Sequence, residues 1–158
     1  MDSSADKITV YRPLIVITAI ALLGAVALSG HVPFMNGLMG LFLCFLAALQ
    51  LFDLSGFAET FARYDLLAAR FSLYGRAYPI IELALGLLYL SGLWPLFTNL
   101  FTLAVMVVGT AGVAKALQSG VKIRCACAGT AFSLPVGKVT VFENLVMAVM
   151  AAANIIHL

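Results

Sequence analysis

The sequence predicts an all-α integral membrane protein, a bundle of five transmembrane helices with one further helix on the membrane surface. Three observations lead to this fold class: hydrophobic residues make up 63% of the 158 residues, charged residues make up only 10%, and the apolar residues are gathered in long runs. A soluble domain has about 25% charged residues, so this chain carries more apolar surface than one small core can bury. We therefore expect a single membrane domain over residues 1–158, with the lipid bilayer as its solvent.

Five apolar runs approach the length that crosses a bilayer, which is roughly 20 residues. The first run is longer than the apolar part of a secretory signal, so we expect it to be retained rather than cleaved. Trp94 and Pro95 mark a tight turn between the third and fourth runs, because proline disfavours helical geometry in the residue before it. The predicted spans lie near residues 13–30, 34–52, 78–94, 96–117 and 139–158.

The nine Lys and Arg residues predict the orientation of these spans. All of them lie before the first span, between the second and third, or between the fourth and fifth or at the facing ends of those two, and the links on the other side contain none. Short loops rich in Lys and Arg stay in the cytoplasm, which predicts an N-in, C-out protein of the bacterial inner membrane. The net charge is only +2 and no long basic run occurs, so nucleic acid is not an expected partner.

A polar stretch between the second and third spans predicts an amphipathic helix near residues 54–75. Its apolar side chains recur at steps of three and four, and Glu59 and Arg63 form a favourable i,i+4 pair. Such a helix either lies in the inner membrane surface or packs against the bundle. The predicted apolar stripe consists of Phe57, Phe61, Tyr64, Leu67, Phe71 and Tyr74.

The strongest local signal is the Cys125-Ala126-Cys127 sequence in the last cytoplasmic loop. Cytoplasmic thiols are kept reduced, so a permanent disulfide is not expected, and the neighbouring cations Lys122 and Arg124 favour the thiolate. Two thiolates suit one soft ion, Cu(I) or Hg(II), and leave zinc short of four ligands. The same pair suits thiol–disulfide exchange, and two small apolar cysteines that only pack are the third interpretation.

Two carboxylates lie within apolar runs, where a charge is costly. A structural explanation is that both stand in first helical turns: Pro79 fits the start of a helix before Glu82, and Thr140 with Glu143 matches a capping box. Both predicted helices begin at the inner face. We therefore also expect Glu82 and Glu143 to converge near the cysteine loop.

Further soft donors lie along the second span. Met35 and Met39 are one turn apart at its outer end and Cys44 is deeper, so a relay of sulfur ligands is one interpretation and packing is the other. No catalytic residue is predicted. The candidate metal ligands are Cys125, Cys127, Glu82, Glu143, Cys44, Met35 and Met39.

Over roughly residues 36–158 the chain resembles the MauE/DoxX-like family of small redox-associated membrane proteins. The order of three segments carries the resemblance: Asp53-Leu-Ser-Gly-Phe57, Pro79-Ile-Ile-Glu82-Leu-Ala-Leu-Gly86 and Cys125-Ala-Cys127-Ala-Gly129. The chain is most similar to a Cys-Ala-Cys subgroup in which a heavy-metal-associated domain is sometimes fused ahead of the membrane part. The resemblance to MauE implies a link to methylamine utilisation and to maturation of a disulfide-rich dehydrogenase subunit.

Three functions follow as expectations. The first is binding and transport of a soft metal ion toward Cys125 and Cys127, with a cytoplasmic metallochaperone or heavy-metal-associated domain as partner. The alternative is a thiol-redox membrane protein that relays electrons or disulfides to a partner such as a thiol reductase. If the chain is an enzyme, it is then a thiol–disulfide oxidoreductase. The third is a structural assembly factor without its own ligand, and each of the three is compatible with an oligomer.

Overall fold

The computed structural model describes the backbone of residues 3–120, 124–125, 134–135 and 138–158, and the side chains of residues 11–120 and 140–158. These residues form helices joined by short connections, together with one small antiparallel ladder in which Arg124 pairs with Pro135 and Cys125 with Leu134. The elements are α1 (Ser3–Leu28), α2 (Phe34–Phe52), α3 (Leu54–Phe61), α4 (Ser72–Ser91), α5 (Pro95–Gln118), β1 (Arg124–Cys125), β2 (Leu134–Pro135) and α6 (Lys138–Ile156).

Three of the described helices are long and apolar enough to cross a membrane. They are the Tyr11–Leu28 part of α1, with a mean hydropathy of 2.0, all of α2, with 1.8, and all of α5, with 1.9. A shorter apolar stretch, Thr140–Ile156, makes up most of α6. Many large apolar side chains of these helices face outward, such as Leu23, which is 72% exposed. The protein is therefore an all-helical, multi-pass membrane protein.

The bundle consists of two closely packed helix pairs, α2 with α4 and α5 with α6, while α1 packs on the outside of α2. Gly40 and Gly86 bring α2 and α4 together: a Cβ added to Gly86 would lie 2.9 Å from the carbonyl oxygen of Gly40. The core between the two pairs is built from side chains of all four helices: Met39, Leu43, Leu85, Tyr89, Met106, Met147 and Ala151.

The single amphipathic helix predicted near residues 54–75 is wrong in its length. Helix α3 ends at Phe61, and the chain turns before α4 begins at Ser72. The carboxylate of Asp65 explains the turn, because its Oδ1 accepts hydrogen bonds from the backbone N–H groups of Leu67 and Ala68, both at 2.9 Å, an arrangement that competes with a helix. Burial raises the pKa of Asp65, and these two hydrogen bonds oppose the rise.

The predicted apolar stripe is divided by this turn. Phe57 and Phe61 are buried, whereas Phe71 is 61% exposed. The aromatic stack continues onto α4 instead, where the ring centroid of Tyr78 lies 4.5 Å from that of Phe61. This packing explains why α4 begins at Ser72 rather than near residue 78.

The structural explanations predicted for the two carboxylates are also wrong. Pro79 lies inside α4, because the aromatic packing extends the helix ahead of it, so Glu82 is not in a first turn. Helix α6 begins at Lys138, before Thr140, so Thr140 is not the residue that caps the helix. Both carboxylates therefore need another account.

The turn between α3 and α4 is held against α5 at Gly112. A Cβ at this position would lie 2.5 Å from the carbonyl oxygen of Tyr64 and 3.1 Å from the Cα of Asp65. A Cβ at Gly109, one turn earlier on the same helix, would meet only the Asn144 side-chain nitrogen, at 3.3 Å. Backbone cannot move aside as the end of a side chain can.

We therefore expect Gly112→Ala to destabilise the protein and Gly109→Ala to be neutral or stabilising. Overpacking costs about 1–3 kcal/mol, against about 1 kcal/mol gained in helix propensity. Thermal unfolding in detergent measures both variants. Equal midpoints for Gly112→Ala and Gly109→Ala would show that this close contact is absent.

Candidate functional site

A small cavity of about 40 Å³, with both polar and apolar side chains in its wall, lies between the two helix pairs. It lies toward the ends of α2 and α5 and the beginnings of α4 and α6, and it has room for a few water molecules. Apolar side chains, among them Leu46 and Met106, form much of its wall. Its polar lining comes from Gln50, Tyr64, Tyr78, Glu82, Thr140, Glu143 and Asn144.

Glu82 is the central group of this cavity and is only 5% exposed. Its carboxylate has a side-chain hydrogen bond with Gln50, while its Oε2 atom has no hydrogen-bond partner among the described residues. Glu143 lines the same cavity and is close enough to act electrostatically on Glu82. The structure thus brings together the two carboxylates that were expected to converge.

The electrostatics of this pair are unusual. No Lys or Arg side chain belongs to the described lining of the cavity, and burying two carboxylate charges without a counter-charge is costly. Carboxyl groups at such positions in membrane helices bind protons or cations, or lie on their paths. The arrangement can therefore accept and release protons within the bundle.

One wall of the cavity is aromatic and comes from α3. Phe57 and Phe61 line it, with ring centroids 5.1 Å apart. Strand β1, which contains the Cys125 backbone, contacts α3. The side chain of Cys125 and all of Cys127 lie outside the described residues, so their role stays a prediction.

Cys44 lies near the cavity but does not line it. It is half-buried on α2 and faces Gly86 of α4, where an added Cβ would lie 2.6 Å from its Sγ atom. Gly86 is one helical turn beyond Glu82. Only a glycine at position 86 therefore leaves room for the Cys44 thiol.

The two methionines lie in a different part of the bundle. Met39 is fully buried in the central core, and Met35 packs against the same core. The Asn154 amide donates a weak hydrogen bond to the Met39 sulfur, at 3.9 Å. In the part of the chain that the structure describes, no group of three or more His, Cys, Asp or Glu side chains is placed to hold a metal ion.

A second polar layer, at the end of the bundle opposite the cavity, was not predicted from the sequence. Tyr89 donates to the Asn99 Oδ1 atom at 2.9 Å. The Asn154 amide donates to Asn36 at 2.9 Å and to Asn99 at 3.3 Å. These bonds tie together α2, α4, α5 and α6. The available signal was the presence of asparagines in three of the apolar runs, one in the second, one in the fourth and two in the fifth.

The family of the chain follows from a comparison with known sequence families. The model of the family described as Methylamine utilisation protein MauE matches residues 28–157. The chain belongs to the MauE family. The MauE match begins at the last residue of α1 and takes in α2 to α6, the cysteine loop and both carboxylates. No curated protein and no solved structure matches the chain significantly.

Proposed function

We propose that this MauE-family chain is a thiol-redox membrane protein of methylamine-utilisation-type maturation. Cys125 and Cys127 exchange electrons or a disulfide with a partner protein. The observation that carries the proposal is the MauE match over residues 28–157, which includes the cysteine loop. That family description favours the redox interpretation over soft-metal transport, and binding of Cu(I) or Hg(II) by the same pair becomes the competing outcome of the tests below.

The chemistry of the pair needs both electrons and protons to be removed. Oxidation of two thiols forms one S–S bond and releases two electrons and two protons. The contact of β1 with α3 supports a proton path, because α3 also lines the cavity that holds Glu82 and Glu143. In this proposal the carboxylates accept the protons and the partner, or a second acceptor, takes the electrons.

The proposal includes five spans, an N-in, C-out orientation and the bacterial inner membrane. The distribution of the nine cations supports it. Three of them, Arg63, Arg70 and Lys115, line one crevice at the predicted inner end of the bundle. The partner would then meet the cysteine loop on the cytoplasmic face.

Sided labelling of vesicles tests this orientation. In a Cys44→Ser background, a membrane-impermeant maleimide should label Cys125 and Cys127 in inside-out vesicles and leave them unlabelled in right-side-out vesicles. The matched control is His157→Cys in a chain without other cysteines, which should show the reverse pattern. Labelling of the loop from the outer face alone would invert the topology and place the partner outside the cell.

A further inference from the structure

A second and larger space lies on the lipid-facing side of the bundle, between α1, α2 and α6. It is a groove of about 460 Å³, within the usual range of small-molecule sites, about 300–1,000 Å³. Its wall is almost entirely apolar. Ile15 and Leu22 from α1 and Phe142 from α6 line it and remain more than 40% exposed, so the groove is open to lipid.

Glu143 breaks this apolar lining. Its side chain lines the groove and also lines the internal cavity that contains Glu82. Phe42 and Met147 likewise belong to both walls. The groove therefore leads from the lipid-facing side of the bundle to a carboxyl group that is electrostatically coupled to a second, buried one.

Helix α1 forms one side of this groove, and the MauE match begins only at its last residue. Leu14, Thr18 and Leu22 line the groove from α1, and all three precede the matched region. The groove is thus formed jointly by α1 and by helices α2 and α6 of the matched region.

We infer that the groove binds a membrane-dissolved quinone, with the ring at Glu143 and the isoprenoid tail directed along α1 and α6 toward Leu22 and Met150. The inference rests on the proposed thiol-redox function, for which it names the electron acceptor. From Glu143 to Met150 the helix rises about 10 Å, which leaves space for the ring and the first part of a tail.

Polar complementarity favours this occupant over a phospholipid. A protonated carboxyl group donates a hydrogen bond to a quinone carbonyl, and a carboxylate accepts one from a quinol hydroxyl. A phosphate head group would instead bring a negative charge to a site that already holds two acidic side chains and no described Lys or Arg.

The reaction balances without another reagent. Two thiols and one quinone give one disulfide and one quinol: two S–H bonds break, one S–S bond and two O–H bonds form, and two electrons pass to the ring. Glu143 and Glu82 pass on the two protons and are regenerated. The cysteine pair is oxidised and the quinone is reduced.

Photo-crosslinking with a short-chain azidoquinone tests the site, using the full chain in phosphatidylcholine nanodiscs. Two matched pairs of variants compare lining positions with neighbouring lipid-facing positions outside the lining. Val146→Trp and Leu22→Trp fill the groove, whereas Val149→Trp and Leu23→Trp place the same ring on surfaces that are already 60% and 72% exposed. We expect crosslinks to α1 and α6 that fall roughly tenfold in each filled variant and remain in each control.

A second comparison of variants tests the role of the Glu143 carboxyl group. Glu143→Leu should weaken quinone binding roughly three- to tenfold, the size expected for one lost hydrogen bond, whereas Glu143→Gln, whose amide can still donate to a quinone carbonyl, and Glu59→Leu on the exposed face of α3 should not. Equal crosslinking in filled and control variants, or no crosslink to α1 and α6 in the phosphatidylcholine nanodiscs, would overturn the inference.

The same nanodisc sample tests this inference independently of the proposed function. Quinone binding should persist in the Cys125→Ser/Cys127→Ser variant, because the groove lining that the structure describes comes from α1, α2 and α6. Loss of two thiols per chain on adding the quinone to reduced wild type supports both proposals. Binding without thiol loss would leave the groove assignment standing and contradict the redox function.

Discussion

Single replacements of the loop cysteines should trap a mixed disulfide that the wild type resolves. With oxidised glutathione, wild-type protein should finish as an internal Cys125–Cys127 disulfide, because a second thiol on the same loop attacks the adduct at a high effective concentration. Cys125→Ser or Cys127→Ser should stop at one glutathione adduct on the loop. The double variant should show none there. Intact-protein mass spectrometry measures each product.

Cys44 supplies the internal control for this experiment. Its thiol is packed between α2 and α4 against Gly86, so Cys44→Ser should leave the course of oxidation unchanged. A stable glutathione adduct on the loop of wild-type protein, with no progress to the internal disulfide, would contradict the exchange chemistry proposed for the pair.

Replacement of Glu82 by glutamine should slow oxidation of the cysteine pair by about a hundredfold or more, the usual size of a general acid–base contribution. The amide keeps the shape of the side chain and can still bond to Gln50, but it cannot accept a proton. The folded bundle should be retained, because a neutral amide costs less to bury than a charged carboxylate. The rate is measured by stopping the oxidation at intervals and following the loss of the two thiols by mass spectrometry. Thermal unfolding checks the fold.

Glu59→Gln is the matched control for this prediction. Glu59 lies on α3, with its side chain 75% exposed and 3.1 Å from Arg63, and it does not line the cavity. An exposed pair of this kind contributes little to stability, so the control should leave both rate and midpoint unchanged. Equal rates for Glu82→Gln and Glu59→Gln would remove the carboxylate from the proton path.

Much of the helical architecture could be predicted because hydropathy and charge report directly on contact with lipid. The second span was placed at residues 34–52, the bounds of α2, and the fourth differs from α5 by one residue at each end. The error between α3 and α4 has a physical origin. Periodicity detects the apolar faces on both sides, but it does not detect the backbone hydrogen bonds of Asp65 or the distant contact at Gly112.

The sequence predicted those residues of the candidate site that carry a charge. Glu82 and Glu143 stand out in apolar runs, and the antiparallel order of the helices brings them to one cavity. Gln50 and the three asparagines of the second polar layer were missed, because an uncharged polar residue in an apolar run, unlike Glu82 or Glu143, carries no charge that demands an explanation. Their partners lie on other helices, so only the packing of the bundle relates them. The metal-ligand roles predicted for Cys44, Met35 and Met39 stay predictions.

A redox titration of the purified protein in glutathione buffers tests the central claim most directly. Mass spectrometry of the peptide with Cys125 and Cys127 follows the loss of two hydrogens, and the metal content is measured in the same samples. The account predicts one reversible two-electron transition of the loop pair while Cys44 remains a thiol. A pair that stays reduced across the buffer range and holds one Cu(I) or Hg(II) per chain would contradict the account and favour soft-metal binding.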